Sequence, residues 1–127
     1  MDVAQKAVQY LSKYAHNLKR IINADVPEKA NLGDARLDLP AIRIFEGPNF
    51  IDPSFGIRAS DAMEKQGVAF HLTAARSGSQ TRLFTPLCYT LSIALPSDGI
   101  HSPCYTMSLL GAERCITLLK ALVEWEM

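Results

Sequence analysis

No run of apolar residues in this chain approaches the roughly 18 that a helix needs to cross a bilayer, which sets helical membrane spans aside. The first residues, Met1-Asp-Val-Ala-Gln-Lys6, open an amphipathic pattern instead of a charged and then apolar leader, and so read as unexported. Cysteine is scarce: Cys88, Cys104 and Cys115 cannot all pair with one another, and their spacing matches no zinc or CxxC pattern. A reducing cytoplasm is the expected compartment, with three free thiols. Net charge is also absent, since 13 Lys and Arg balance 13 Asp and Glu. That argues against a nucleic-acid binder driven by bulk electrostatics. Neither a Walker-type loop nor GxGxxG occurs, and GxSxG is missing too, so the commonest nucleotide and serine-hydrolase signatures are excluded.

What remains is ordinary. Of the 127 residues, 48% are hydrophobic and 20% charged, a globular composition at the commonest size of one domain. One domain spanning residues 1–127 is expected.

At the N-terminus Ala4, Val8, Leu11, Ala15, Leu18 and Ile22 recur at steps of four and three, which predicts an amphipathic helix over residues 2–23. Residues 23–40, with Asp25, Pro27, Gly33, Asp34 and Pro40, read as a long connection. Residues 41–46 form a short strand candidate. Two prolines and two glycines in residues 47–56 forbid a regular central strand there, and Phe50 and Phe55 are read as aromatics pinning that loop to the core. A brief strand at 57–59 and a short turn over 60–65 follow. Val68, Phe70 and Leu72 alternate with Ala69, His71 and Thr73, which predicts a half-buried strand that pairs across a tip at 77–80 with residues 81–95.

Phe84–Leu110 is the organising stretch. The near-duplicates Cys88-Tyr-Thr-Leu-Ser92 and Cys104-Tyr-Thr-Met-Ser108 flank a turn-rich segment and read as an antiparallel hairpin in which Leu91 faces Met107. Thr90, Ser92, Thr106 and Ser108 then share a hydroxyl-rich face. A last helix over about 111–126 presents Ala112, Ile116, Leu119 and Val123 to the sheet, with Cys115, Leu118 and Leu122 widening its apolar surface. The predicted fold class is α+β: an N-terminal amphipathic helix, an antiparallel meander of about four or five strands, and a C-terminal covering helix.

Candidate chemistry is thin. A zinc site would need His101 and Cys104 with Cys88 or Cys115, but the hairpin register separates Cys88 from Cys104 by about 20 Å. No metal and no cofactor are expected. Cys104 with His101 and Asp98 is the one compact nucleophile and base grouping, and supports a small-molecule or hydrolytic site near Asp98–Cys104 as a third reading. No acidic residue lies between Glu64 and Asp98, whereas Arg76 and Arg82 bracket a small polar tip with His71 and Phe84 nearby. That arrangement is a second reading, a nucleic-acid contact through phosphates and base stacking. The leading expectation is a small non-catalytic binding protein that occupies a macromolecular partner and self-associates through Leu118, Leu122 and Trp125.

Overall fold

The computed structural model describes residues 2–25, 37–46, 52–75, 81–98 and 106–126. Ten elements follow in order: α1 (Val3–Tyr14), β1 (Arg20–Asp25), β2 (Ala41–Glu46), α2 (Pro53–Lys65), β3 (His71–Ala75), α3 (Thr81–Phe84), β4 (Tyr89–Ala94), β5 (Ser97–Asp98), β6 (Thr106–Met107) and α4 (Leu109–Glu124). The fold is α+β, as the residue pattern implied, but its sheet is mixed. The order is β1-β4-β2-β3, with β1 parallel to β4, β2 parallel to β3, and β2 antiparallel to β4.

This arrangement corrects the meander. Leu91 does not face Met107; β4 already has β1 on one side and β2 on the other, so no ladder position is left for residues 104–108. Met107 pairs with Ser97 in a separate two-stranded ribbon. Likewise β3 pairs with β2 and not with the strand after it, because α2 supplies the crossover that a parallel β2–β3 pair requires.

Two helices differ from the residue pattern for local reasons. The first ends at Tyr14, nine residues early, since Ile21 and Ile22 are β-branched and prefer the extended strand they occupy in β1. Its start is secured by Asp2 and Gln5, which cap one another's backbone N–H groups. Helix α2 occupies residues read as loop and strand. Asp52 accepts from the Ser54 N–H and Pro53 fills the first helical position, where its missing N–H costs nothing. Phe55, Ala59 and Met63 then recur every four residues on the buried face.

Strand alternation sorts the sheet into two faces. Ile42, Leu91 and Ile93 lie with Phe55, Ala59, Met63, Leu118 and Leu122 in one apolar core under α2 and α4. The opposite face sets Asn23, Arg43, Thr73, Thr90 and Ser92 beside the small residues Ala41 and Ala94, and α3 packs against β4, with α1 against α3. Among the described residues no helix is long and apolar enough to cross a membrane.

The placement of α4 corrects the expected seam. Gly111, Cys115, Leu118 and Leu122 are its buried positions, whereas Ile116 and Val123, expected against the sheet, are exposed. Ser108 fixes this rotation: its hydroxyl accepts from the Gly111 N–H at 2.9 Å and donates to the Leu37 carbonyl at 2.6 Å, seating the first turn against that strand-entry segment.

Candidate functional site

The register aligns four polar residues in a single row across the sheet: Asn23 opposite Ser92, Ser92 opposite Arg43, and Arg43 opposite Thr73. Residues that are register partners project from the same face, so the row forms one polar layer. A register shift after Arg43 adds Glu46 to it. In a regular strand residues i and i+3 point to opposite faces, but here Arg43 pairs with Thr73 and Glu46 with Ala75, two residues apart on β3, which returns Glu46 to the face of Arg43.

The consequence is a buried ion pair. Arg43 Nη1 lies 3.3 Å from Glu46 Oε1, with the two side chains 3% and 0% exposed. The Ser92 hydroxyl donates to the same carboxylate oxygen. Further along the layer Asn23 Nδ2 donates to Thr81 Oγ1 at 2.9 Å, and Thr81 is fully buried. Removing two charges from water is expensive even when they pair well. Strand β4 and the bulge in β2 therefore hold a carboxylate oriented by a guanidinium and a hydroxyl, inside the fold and away from bulk solvent.

A cleft of about 430 Å³ opens beside this layer, lined by Asp52, Thr85, Pro86, Leu87, Cys88, Tyr89 and Thr90. Its link to the ion pair is Thr90, which projects on the same side of β4 as Ser92 two residues on. The Asp52 carboxylate accepts from the Ser54 hydroxyl at 2.7 Å and from its N–H at 3.0 Å; these bonds, the hydroxyl foremost, hold its pKa below the usual carboxylate value. Tyr89 stacks on Phe55 with ring centroids 4.8 Å apart and so anchors the rim to the core. Burial pushes the Cys88 thiol up, which leaves it protonated at neutral pH and a weak nucleophile. The cleft thus offers a carboxylate, hydroxyls and an apolar wall to a ligand.

The residues chosen from sequence are placed differently. Arg76 and the side chain of Arg82 lie outside the described residues, as do His101 and Cys104. His71 begins β3 and lines a smaller cleft with Ser60, Asp61 and Glu64, while Phe84 ends α3 half-buried. Leu118 and Leu122 are wholly buried within the chain, so the surface proposed for self-association is in fact its core. Trp125 is half-buried and stacks on Phe55 at 5.7 Å. Among the described residues no three His, Cys, Asp or Glu side chains gather as a metal-holding cluster. Glu46 and Arg43 were missed. The available signal was two charged residues inside an otherwise apolar strand, at a spacing that only a bulge brings to one face.

No protein-family profile and no curated protein matches the chain. Its fold, however, recurs in solved structures. The TET1 peptidase of Pyrococcus horikoshii, seen as a dodecamer, superposes with a TM-score of 0.76 at 21% identity, over 98% of this chain and 39% of that one. The aminopeptidase of the archaeon Desulfurococcus kamchatkensis gives 0.74 at 21% identity, over 95% of this chain and 37% of its own length. An endoglucanase from Thermotoga maritima gives 0.66 at 19%, over 94% and 37%. The chain therefore spans less than two fifths of the structures it resembles. These likenesses overturn the expectation of a non-catalytic binding protein, and nothing in them supports nucleic acid as a partner; what this chain shares with them is the scaffold of described hydrolases.

Proposed function

We propose that this chain forms part of a hydrolase, with peptides as the favoured substrate class, and that the cleft between α2 and β4 belongs to its substrate-binding region. The observation that carries the reading is the almost end-to-end superposition on a TET peptidase. Peptides are favoured over glucans because the peptidase and aminopeptidase superpose more closely than the endoglucanase. Within this proposal Asp52 is the carboxylate that faces the substrate, and the buried Glu46, held by Arg43 and Ser92, is a positioning residue that fixes β4 and with it Thr90 in the cleft wall. Strands β1, β2 and β4 contribute with α2 and α4 to one core, and the chain is proposed to fold as one unit. Homo-oligomerisation is part of the proposal, supported by the tetrahedral and octahedral shells of the TET1 peptidase. A cytoplasmic location accords with the unpaired Cys88 and Cys115.

The test is hydrolysis, by the polypeptide that carries this chain, of peptides with free and with blocked N-termini, with cello-oligosaccharides as a parallel arm. Asp52→Asn, which keeps a capping side chain on α2, should lower kcat/KM by about tenfold or more while circular dichroism shows the fold retained. Cleavage of glucans alone would overturn the substrate class. A folded wild type inert toward all of these substrates, or an Asp52→Asn variant of undiminished activity, would overturn the catalytic reading.

A further inference from the structure

Helix α4 carries more apolar surface than its own fold uses. With Gly111, Cys115, Leu118 and Leu122 facing inward, a second stripe remains on the adjacent face: Leu109, Ile116 and Val123, which are 78%, 67% and 65% exposed, with Ala112 and Leu119 half-buried between them. These five positions alternate steps of three and four, the spacing of a coiled-coil seam held for two heptads. Charges border the stripe on its outer side only. Glu113 and Lys120, both exposed, are seven residues apart along that border, and neither makes an ion pair among the described residues.

We propose that the occupant of this stripe is the α4 helix of a second copy of the chain, laid antiparallel about a twofold axis. This rests on the homo-oligomer reading above and gives it a surface. The charge pattern is what selects a second copy and the direction. Centring an antiparallel pair between Ile116 and Leu119 sets Ile116 against the partner's Leu119 and Ala112 against the partner's Val123. The same register brings Glu113 beside the partner's Lys120, and symmetry repeats that contact. A parallel pair in register would instead carry the two copies of Glu113, and of Lys120, to opposite sides of the seam, facing the Cys115 and Leu122 side of the partner helix, where no opposite charge meets them. The contact replaces the Leu118–Leu122 surface expected from sequence, about a third of a turn round the same helix.

The test is sedimentation of the whole polypeptide across the micromolar range. The wild type should associate, and Ile116→Asp with Val123→Asp should run as a folded monomer, since both side chains are solvent-exposed within one copy and their replacement leaves the core untouched. Glu113→Lys and Lys120→Glu should each raise the dissociation constant about tenfold, by turning two attractions into two repulsions. The double reversal should restore it to nearly the wild-type value. A wild type that stays monomeric at high micromolar concentration would overturn both this inference and the homo-oligomer reading, and is the result expected if another segment of the same polypeptide covers α4. Association that survives the paired Asp substitutions would overturn the α4 surface alone. Failure of the double reversal to rescue would overturn the antiparallel register.

Discussion

Replacing Arg43 by Met tests whether the Arg43–Glu46 pair is a structural unit of the sheet. The change keeps much of the side chain's length and removes the guanidinium that lies 3.3 Å from a carboxylate with no solvent exposure. Stranding a charge in this way typically destabilises by about 3–5 kcal/mol. At roughly 0.05–0.15 kcal/mol per residue a chain of this size has about 6–19 kcal/mol in total, so the loss is a large fraction of it. A midpoint shift of about 3–5 °C per kcal/mol puts the fall in Tm near 10–20 °C. Glu46→Gln alone leaves a buried guanidinium and should also be costly. The double variant removes both charges, so it should lose less than the sum of the singles by about 2 kcal/mol. Urea unfolding followed by circular dichroism, at a constant m-value, supplies all three numbers. Additivity to within about 0.5 kcal/mol would refute the coupling, and with it the view that the β2 bulge exists to bring these two side chains to one face.

Four further outcomes follow from the same packing. Leu118→Glu together with Leu122→Glu should abolish the folded state, seen as loss of far-ultraviolet ellipticity, because both residues are fully buried in the core under the sheet. Gly111→Ala should destabilise by about 1–3 kcal/mol in thermal unfolding, since a Cβ there would come within 2.0 Å of the Leu37 carbonyl oxygen and force α4 away from its seat. Burial raises the thiol pKa of Cys88 and Cys115 above the ordinary 9.0, so in the native state both should react slowly with a disulfide reagent at neutral pH, Cys115 more slowly than Cys88. The unfolded chain loses these protons first as pH rises, so their contribution should be neutral below about pH 9 and should lower stability above it, measurable as a falling urea midpoint in alkaline buffer.

Sequence alone determined the element types where one period held without interruption and one face met water. The amphipathic start of α1, the alternating strand around His71 and the long apolar helix near the C-terminus are legible in residue spacing, and the strand at 41–46 in its β-prone composition. The shared face of Thr90 and Ser92 is legible too, because alternation is a property of any extended chain. What spacing does not carry is the identity of a strand's neighbours. Cys88–Ser92 and Cys104–Ser108 look like partners because they resemble one another, yet a ladder has two sides, and in the folded chain β1 and β2 fill both sides of β4. For the same reason the apolar stripe of α4 was visible but its orientation was not. The helix is apolar over two adjacent faces, and only contact with Leu37 and the α2 side of the core selects Leu118 and Leu122 as the inner pair. The site depended most on tertiary structure. A polar row gathered from four strands and completed by a one-residue bulge exists only once the register is set, since each of its members, taken singly, is an unremarkable polar residue in a strand.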